Sequence, residues 1–485
     1  MFFRLSFVLL TAMLLLFMWG CEGEQGPAGE RGEQGDTGEQ GPGAPVYNYL
    51  GGEGESCLHC HSENVTQWEA SHHADAYETL VDAFSDSNPY CLQCHTTGWD
   101  SPIADGDTVI TEYGPDTTGF DDYWMVDTPE AMERMADLKN VQCESCHGPL
   151  GGEFNENHAE VEFATGDNVE VCANCHHQGD EWANSGHNVV GNPDNDVTTI
   201  EEFRDEHYAG GDCGPCHTSE NLIMVTDEDY AGWEPDEYNM IGCIACHDPH
   251  GGENHYLRTT ADVDVLYDAE VESDNGTMTG YNGGQICAQC HQGRRTTEDV
   301  VDQIDNGNSR FGPHHSPQAD MFIGIGSYEI PSDTVNNVVY TYNRSSTHQG
   351  LDDGCVSCHM TTIPRSDGVD PFYGHDFAAN IRGCTTCHPS ATEFTDIDLG
   401  SGGMTGIDTK MATLLALIGV DEGDLGDTTA TTRAQREAGY AYMFVLEDQS
   451  HGAHNPEYAK SLLDNAIDYL TVMNAENAKG DLANK

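Results

Sequence analysis

The sequence predicts a fold of loops and short α-helices with little β-structure, in which side chains fill only part of the interior. Three observations support this prediction. Hydrophobic residues are 37% of the 485 residues, Gly occurs 54 times, and a Cys-x-x-Cys-His string occurs nine times. A hydrophobic fraction below the usual range leaves few apolar side chains for a large core. Prosthetic groups bound at the Cys-x-x-Cys-His strings must therefore supply much of the apolar interior.

Each string places two thiols and one imidazole within five residues, which is the attachment pattern of a c-type haem. The thiols add to the vinyl groups of the haem, and the imidazole becomes the proximal iron ligand. The nine copies use 18 of the 19 cysteines, which disfavours a disulfide framework or a zinc array. The cysteines are Cys57, Cys60, Cys91, Cys94, Cys143, Cys146, Cys172, Cys175, Cys213, Cys216, Cys243, Cys246, Cys287, Cys290, Cys355, Cys358, Cys384 and Cys387. In chain order, motifs 1 to 9 end at His61, His95, His147, His176, His217, His247, His291, His359 and His388. The chain is therefore predicted to wrap around nine stacked haems.

The N-terminal segment predicts export. Residues 1–20 contain one early Arg and then an apolar run that is too short for an ordinary spanning helix, which indicates a secretory signal peptide. Cys21 follows directly and resembles the lipidated first residue of a bacterial lipoprotein, although Met18 and Trp19 are unusual at such a junction. The alternative is a plain export signal with an incidental Cys. The expected location is the outer membrane or cell surface, with the periplasm as the alternative.

Residues 21–43 predict a stalk. Gly occupies every third position from residue 23 to residue 41, as in a collagen triple helix, where only Gly fits at the axis. At roughly 3 Å per residue, the segment would span about 60 Å. One interpretation is a homotrimer that is lifted off a lipid surface, and the other is a flexible Gly/Glu-rich spacer.

The chain is strongly acidic, with 84 Asp and Glu, 18 Lys and Arg, and a net charge of −66. This charge excludes nucleic acid as a partner and disfavours the steering of anionic substrates. Solubility is the plain interpretation, and attraction of cationic partners or metal ions is the alternative. The runs Asp194-Asn195-Asp196 and Asp352-Asp353 could bind Ca²⁺, but they lack a full binding-loop pattern and predict solvated turns.

The motifs repeat in threes. The middle members continue as CHTTG, CHTSE and CHMTT, and the third members as CHGPL, CHDPH and CHPSA. This pattern predicts three trihaem modules at 44–168, 169–280 and 281–400, followed by a C-terminal helical segment at 401–485. Chance agreement in a chain rich in Thr and Gly is the alternative. In this last segment, the apolar run MATLLALIGV predicts one short buried helix at 411–420.

Low-potential electron carriers have a second imidazole on the iron, and 15 of the 24 histidines lie outside the attachment positions. Trp-x-x-Ser-x-His in WEASHHA and WANSGHN selects His73 and His187, and Ser-x-His selects His348. Further candidates are His158, His207, His250, one of His314 and His315, His375 and His454. The iron that each candidate serves stays open. The histidines left for surface or propionate contacts are His59, His72, His177, His255, His451 and the other member of the His314/His315 pair.

WEASHHA, CESCHGP, CIACHDPH and HNPEYAKSLLDNAIDYL resemble elements of the multihaem cytochrome c superfamily, in scattered parts of residues 57–475. That superfamily includes the tetrahaem partners of hydroxylamine oxidoreductase, pentahaem nitrite reductase and octahaem oxidoreductases. The resemblance implies parallel-stacked and perpendicular haem pairs. It also implies that His454 is a ligand seated by the amphipathic helix after it, for which Asn455 is a good N-cap and Pro456 a good first residue. The stalk has no counterpart in that superfamily.

All nine motifs end in His, whereas pentahaem nitrite reductase replaces one such His by Lys and leaves that iron open. The favoured function is therefore electron transfer through haems with two His ligands, and no catalytic residue is nominated. The expected partners are other redox proteins, such as cytochromes, or extracellular metal acceptors. One alternative is a reductase of nitrogen or sulfur oxyanions with an open haem. Its pocket would be lined by Arg294, Arg295, Tyr281 or His255. Another alternative is a filament subunit.

Overall fold

Most helices of the chain are only one or two turns long. The computed structural model describes residues 49–83, 88–99, 119–149, 168–188, 214–233, 235, 238–251, 256–266, 276–332, 338–365, 371–397 and 403–483. The α-helices are α1 Glu55–Leu58, α2 Ser62–Glu69, α3 Ala76–Ala83, α4 Pro89–His95, α5 Phe120–Tyr123, α6 Pro129–Asp137, α7 Cys143–His147, α8 Asn168–Ala173, α9 Gln178–Trp182, α10 Gly214–His217, α11 Ser219–Thr226, α12 Cys243–Cys246, α13 Gly284–Ala288, α14 Thr297–Asn306, α15 Gln318–Ile323, α16 Val356–His359, α17 Ile381–Cys384, α18 Gly403–Ile418, α19 Arg433–Asp448 and α20 Pro456–Ala483. Single 3₁₀ turns lie at His72–Asp75, Gly186–Asn188, Glu228–Tyr230, Thr347–Gly350, Phe394–Asp396 and Glu422–Asp424.

Local sequence starts several of these helices. Asn88 and Thr128 each accept a hydrogen bond from a backbone N–H in the first turn of α4 and α6, and Pro occupies the first helical position in both. These side chains satisfy N–H groups that have no partner within the helix, and Pro has no N–H to satisfy. In both helices, a polar capping residue followed by Pro thus marks the first turn.

Strand content is small. In the described part of the chain, the one sheet pairs β1 Val263–Asp264 with β2 Thr277–Met278 in antiparallel register, with Val263 opposite Met278. The Thr277 hydroxyl donates to the Asp264 carboxylate over 2.7 Å across this pair. The prediction of helices and loops with little β-structure is confirmed for the described residues. The predicted signal peptide, Cys21 and the stalk lie outside them.

The three longest helices, α18, α19 and α20, pack against one another. The buried residues of α18 and α20 recur every three or four positions, which gives each of these two helices one apolar face, whereas α19 is buried over most of its circumference. On α18 these are Ile407, Met411, Leu414 and Ile418, and on α20 they are Tyr458, Leu462, Leu463, Ala466 and Leu470. As the sequence predicts, α20 begins at Pro456, and the Asn455 side chain accepts the Tyr458 N–H over 3.0 Å.

One expectation needs correction here. The predicted short helix at 411–420 is instead the C-terminal part of α18, a helix of 16 residues that begins at Gly403. A conventional core also exists, because apolar side chains between Val300 and Leu470 form one buried cluster. The average composition does not reveal this cluster, most of whose members lie on α18, α19 and α20. None of the helices in the described ranges is long and apolar enough to span a membrane.

The helical bundle should depend on this core for its stability. Leu470 is 1% exposed on α20, whereas Val472 on the same helix is 41% exposed. We expect Leu470→Ala to lower the free energy of unfolding by about 2–5 kcal/mol, since it removes buried methyl groups and leaves a cavity. Val472→Ala should change it by no more than about 0.5 kcal/mol. Denaturant unfolding followed by far-ultraviolet circular dichroism measures both, and equal effects would contradict the packing described here.

Candidate haem-binding sites

The attachment motifs form short helical turns. In Cys57–His61 and Cys287–His291, the His N–H donates to the carbonyl of the first Cys over 2.9 Å. Residues three and four apart lie on one face of a helical turn, so the turn brings both thiols and the imidazole together. None of the 17 cysteines in the described residues forms a disulfide, while Cys213 of motif 5 lies outside them.

Six of the motif histidines face a second imidazole within the described residues. The ring centroids of these pairs are 6.0–6.5 Å apart. The pairs are His176 with His73, His147 with His250, His291 with His187, His247 with His375, His388 with His348, and His359 with His454. The second member of each pair is one of the distal candidates of the sequence analysis.

This spacing fits a metal ion between the two rings. A metal–imidazole bond is about 2.0 Å long and the bonded nitrogen lies about 1 Å from the ring centroid, so two imidazoles on opposite sides of one ion have centroids roughly 6 Å apart. Rings in direct contact would be closer than this in a stacked arrangement. The donor set therefore fits a group whose iron is bound by two imidazoles. Elsewhere in the described ranges, no group of three or more His, Cys, Asp or Glu side chains could hold a metal ion. Asp352 and Asp353 lie within these ranges, whereas the run 194–196 lies outside them.

The Trp-x-x-Ser-x-His segments have the same contacts in both copies. The Trp68 indole N–H donates to the Val141 carbonyl over 2.8 Å, and the Trp182 indole N–H donates to the Ile241 carbonyl over 3.0 Å. Both carbonyls lie two residues before the first Cys of a third-member motif. Each Trp thus ties the segment that presents a distal candidate to the start of motif 3 or motif 6.

The Ser of each Ser-x-His segment caps a 3₁₀ turn. The hydroxyl oxygens of Ser71, Ser185 and Ser346 each accept the backbone N–H of the His two residues later, at 3.2 Å in all three copies. This bond fixes the backbone entry to the turn and so the direction of the imidazole. The Ser-x-His spacing therefore has the same physical cause in all three places.

The middle motifs share a further contact. The Thr97 hydroxyl donates to the Asn140 carbonyl over 2.8 Å and accepts the Gln142 N–H over 3.0 Å. Ser219, at the same distance after motif 5, donates to the Met240 carbonyl and accepts the Gly242 N–H over 3.0 Å. These partners occupy matching positions before motifs 3 and 6. The repeated letters CHTT and CHTS thus correspond to a repeated hydrogen-bond arrangement.

Several imidazoles are oriented through Nδ1. Nδ1 of His95, His348 and His359 lies 2.6–2.8 Å from a backbone carbonyl oxygen, to which it can donate. Nδ1 of His454 lies 2.6 Å from a carboxylate oxygen of Asp448, which is fully buried. A proton on Nδ1 leaves the lone pair of Nε2 for a metal, and the acceptor fixes the ring orientation.

The titration behaviour agrees with neutral ligands. Burial, together with the charge of neighbouring imidazoles, lowers the pKa of His73, His147 and His187 to about 4. These rings are therefore uncharged at neutral pH, as an imidazole must be to bind a metal. Burial also lowers the pKa of His454, but the Asp448 carboxylate outweighs burial and the net direction is upward.

A buried carboxylate holds the loop of His375. The two oxygens of Glu181, on α9, accept the backbone N–H groups of Tyr373 and His375 over 2.8 and 2.9 Å. The matching helix α2 approaches the loop of His250, where the Asn64 amide lies 3.2 Å from Nδ1 of that histidine. Glu181 was not selected from the sequence, because a lone Glu before Trp has no distinguishing pattern.

Glu181→Gln tests the role of this carboxylate. The amide keeps the shape but replaces one acceptor by a donor that faces a backbone N–H, so we expect a loss of about 1–3 kcal/mol in the free energy of unfolding. The spectrum of one low-spin haem should broaden as its ligand loop loosens. Glu130→Gln on the exposed face of α6 is the matched control. Equal unfolding curves for the two variants would show that the carboxylate is dispensable.

Thiols of different motifs also approach one another. Thiols that lie close enough to shift each other's pKa join motif 1 to 3, 2 to 4, 4 to 6, 5 to 7, and 7 to 8. The pairs are Cys57 with Cys143, Cys94 with Cys175, Cys172 with Cys243, Cys216 with Cys290, and Cys287 with Cys355. Motifs 8 and 9 are joined by the Asn380 N–H, which donates to the Cys358 carbonyl over 3.2 Å, and by the packing of α16 on α17.

Two of these links contain the same thiol–carbonyl contact. The Cys94 thiol lies 3.8 Å from the Asn174 carbonyl, and the Cys216 thiol lies 3.8 Å from the Gln289 carbonyl. Each carbonyl precedes the second Cys of the partner motif. The charge on Cys146 of motif 3 raises the pKa of both thiols of motif 4, and the charge on Cys246 of motif 6 raises the pKa of both thiols of motif 7. Motif 4 therefore lies beside motif 3, and motif 7 beside motif 6.

The remaining histidines have diverse surroundings. Burial lowers the pKa of His314 to about 4, whereas the exposed His315 pairs with Glu447 at 2.6 Å. His451 is exposed and pairs with Asp408 at 2.7 Å. The ring of His72 lies edge-on to Tyr256. His158, His207 and His255 lie outside the described residues.

Comparison of the sequence with known proteins gives one family match and one relative. The sequence profile of the family "Cytochrome c554 and c-prime" matches residues 56–121. The C-type polyheme cytochrome OmcB of Geobacter sulfurreducens is 22% identical over 332 residues, which cover 54% of this chain. The match spans 44% of the length of OmcB, so this chain corresponds to less than half of that relative.

Two solved structures are also similar. The outer cell wall cytochrome OcwA superposes with a TM-score of 0.51 at 16% identity, covering 87% of this chain and 99% of OcwA. The undecaheme cytochrome from the S-layer of Carboxydothermus ferrireducens gives a TM-score of 0.48 at 18% identity, covering 88% of this chain and 70% of that one. The attachment motifs, the local family match and the fold shared with OcwA together make this chain a relative of the multihaem c-type cytochromes.

Proposed function

We propose that the chain is a nonahaem c-type cytochrome that transfers electrons through haems with two His ligands. Each motif would bind one haem through two thioether bonds and the motif histidine. The observation that supports this best is the set of six imidazole pairs, whose centroid spacing suits one iron between each two rings. Haem iron supplies one-electron redox chemistry.

From the six pairs we also propose which motif's iron each of six distal candidates binds. His73, His187, His250, His348, His375 and His454 would serve motifs 4, 7, 3, 9, 6 and 8. For motifs 1, 2 and 5, the proposed ligands come from His158, His207 and one of His314 and His315. Two imidazoles keep the iron low-spin with little ligand rearrangement on redox change, which suits electron transfer.

We infer an order of the motifs in space from the contacts between them. The order 1, 3, 4, 6, 7, 8, 9 forms one continuous line, with motif 2 beside motif 4 and motif 5 beside motif 7. The equivalent contacts that the Cys94 and Cys216 thiols make with a carbonyl of the partner motif support the two side positions. Electrons would pass along the line, and the side positions would offer additional entry or exit points.

The proposed modules at 44–168, 169–280 and 281–400 interlock. His73 belongs to the first module but faces motif 4 of the second, and His187 belongs to the second but faces motif 7 of the third. In the opposite direction, His250 and His375 face motifs 3 and 6 of the preceding module. Each module would therefore complete its neighbours, with the helices at 401–485 supplying His454.

We further propose that the protein is exported and anchored by lipidated Cys21, with residues 21–43 as a stalk or as a spacer. The names of OcwA and of the S-layer cytochrome refer to outer cell layers, which favours a location at the outer membrane or cell surface. Other cytochromes or extracellular metal acceptors would be the redox partners. A homotrimer through the stalk follows only from the Gly repeat.

Haem counting and electron paramagnetic resonance test this proposal. The mass of the purified holoprotein should exceed that of the processed chain by nine haems, and the oxidised protein should show low-spin ferric signals. A major high-spin signal that shifts on adding nitrite or hydroxylamine would replace the proposal by the reductase. Fewer than nine haems would remove the claim that every motif is used.

A further inference from the structure

The stretch of chain between the middle and the third motif is longest in the first module. The hydrogen bonds of Thr97 and Ser219 to the residues before motifs 3 and 6 occupy matching positions, so residues 98–139 correspond to 220–239. The first of these stretches is about twice as long as the second. The second module positions its motifs without the additional residues, so the attachment motifs do not require them.

Helices α5 and α6 and the turn between them lie in this longer stretch. These residues, 120–137, are here called the α5–α6 hairpin. The two helices pack on each other, and the Arg134 guanidinium of α6 lies 5.9 Å from the ring centroid of Tyr123 on α5. Leu138, at the end of α6, shares a buried cluster with Leu92, which lies between the cysteines of motif 2. A molecule on the outer face of α6 would therefore be separated from motif 2 by about the thickness of one helix, roughly 10–12 Å.

The outer face of the hairpin exposes large apolar side chains. Met125 is 83% exposed, the highest value for a large apolar side chain in the described part of the chain, and Met132 and Val126 are 55% and 42% exposed. Met125 also has a φ of 68°, in the left-handed region that favours Gly. Single exposed apolar side chains are common on protein surfaces, but a group of them is typical of a contact surface.

The same face is acidic. Asp127, Glu130 and Glu133 are exposed, and none of them forms an ion pair within the described residues. The two cations nearby, Arg134 and Lys139, already pair with other carboxylates. An acidic face repels a second copy of this chain, whose net charge is −66, and it also repels an anionic lipid surface. The charge is complementary to a cationic partner, and the apolar side chains suit a protein that offers an apolar contact face.

We propose that the outer face of the α5–α6 hairpin is the docking surface for a basic electron-transfer protein. This inference rests on the proposed function, because it makes motif 2, at its side position, the haem through which electrons pass between the two proteins. The carboxylates steer the cationic partner and speed its association. The flexible Met side chains adapt to its surface. Electron-transfer contacts are small and weak, so a surface of a few exposed side chains is sufficient.

Stopped-flow mixing tests the docking surface. The full-length holoprotein, chemically reduced, is mixed at low ionic strength with an oxidised, lysine-rich monohaem cytochrome c as the basic probe. Two variants alter the surface, Met125→Ser/Met132→Ser and Asp127→Asn/Glu130→Gln/Glu133→Gln. Two matched controls replace exposed apolar and acidic side chains of the C-terminal part of the chain, Val339→Ser/Val472→Ser and Asp421→Asn/Asp424→Asn/Asp468→Asn. Reduction of a small neutral quinone, which needs no docking surface, is measured for all five proteins.

The charge variant should reduce the cytochrome about tenfold more slowly than the wild type, as expected for the loss of three exposed charge pairs. The apolar variant should be at least about threefold slower, because less apolar area is buried in the contact. Both controls should keep the wild-type rate, and high ionic strength should remove the effect of the charge variant. If either surface variant reduces the cytochrome as fast as its control, the docking surface is not there. If the wild type fails to reduce the quinone, the proposed electron transfer itself is wrong.

Discussion

Replacing His454 by alanine should convert one haem of this protein from a low-spin haem into one that binds carbon monoxide. The His454 ring lies 6.1 Å from that of His359, and it occupies the distal position in the proposed assignment for motif 8. Alanine offers no ligand, so the iron becomes five-coordinate and open to small molecules. The reduced variant should bind one equivalent of carbon monoxide, whereas the wild type should bind none.

His451→Ala is the control for this experiment. His451 lies in the same loop and also pairs with a carboxylate, but its ring is exposed and contacts Asp408 at the surface. It should leave every haem low-spin. Carbon monoxide difference spectra and the high-spin signal in electron paramagnetic resonance measure both variants. Carbon monoxide binding by both variants, or by neither, would contradict the assignment of His454.

A second substitution keeps the test decisive if the alanine variant does not fold. Removing His454 leaves the buried carboxylate of Asp448 without the imidazole, which costs about 1–3 kcal/mol or more for a charged group. His454→Met retains a ligand of similar reach. Because His/Met ligation raises the potential of haem iron, one haem of this variant should titrate at higher potential while staying low-spin.

Local features of this fold could be predicted because they depend on residues close in sequence. The Cys-x-x-Cys-His turns, the Ser-x-His caps and the start of α20 at Pro456 all involve neighbours within five positions. In each case hydrogen bonds within one turn determine the structure. The distal candidates His73, His187 and His348 were selected by such a cap, and the structure places all three opposite a motif histidine.

The pairing of the histidines could not be predicted in the same way. His247 and His375 meet only because Glu181, from a third segment, holds the loop of His375 by two backbone hydrogen bonds. No local pattern records such an arrangement, since a single Glu that accepts backbone N–H groups resembles any surface Glu. The same is true of Asp448, which orients His454 from the end of α19.

The core shows a different limit of the sequence. The low hydrophobic fraction predicted that haems supply much of the interior, and it did not reveal that the helices α18, α19 and α20 also bury a continuous apolar cluster. Composition averages two unlike parts of the chain. The N-terminal two thirds have many short turns around the motifs, and the C-terminal third packs helix on helix. A window-based count would have separated them, because the apolar stripe of α20 recurs every three or four residues.

Loss of motif 7 should separate the haem of motif 5 and the haems of motifs 8 and 9 from the haems of motifs 1, 2, 3, 4 and 6, so that these groups exchange electrons slowly. Motif 7 contacts motifs 5, 6 and 8, so it is the one connection between the N-terminal motifs and motifs 8 and 9 in the proposed order. Cys287→Ser/Cys290→Ser prevents attachment there. Cys91→Ser/Cys94→Ser removes motif 2, which lies at a side position, and is the matched control with the same number of haems lost.

Flash photoreduction with less than one electron per molecule distinguishes these variants. In the wild type and in the motif 2 variant, the electron should equilibrate within each molecule, and transient absorption should relax at a rate independent of protein concentration. In the motif 7 variant, an electron that enters one separated group of haems can reach another group only through a second protein molecule. A slow phase whose rate rises with concentration should therefore appear.

A motif 6 variant, Cys243→Ser/Cys246→Ser, gives an independent cut in the same line. Motif 6 contacts motif 4 through Cys172 and lies beside motif 7, so its loss should produce the same concentration-dependent phase. Far-ultraviolet circular dichroism and the low-spin spectrum of the remaining haems confirm that each variant is folded. If the motif 2 variant shows the slow phase and the other two do not, the line runs through motif 2 and the proposed order is wrong.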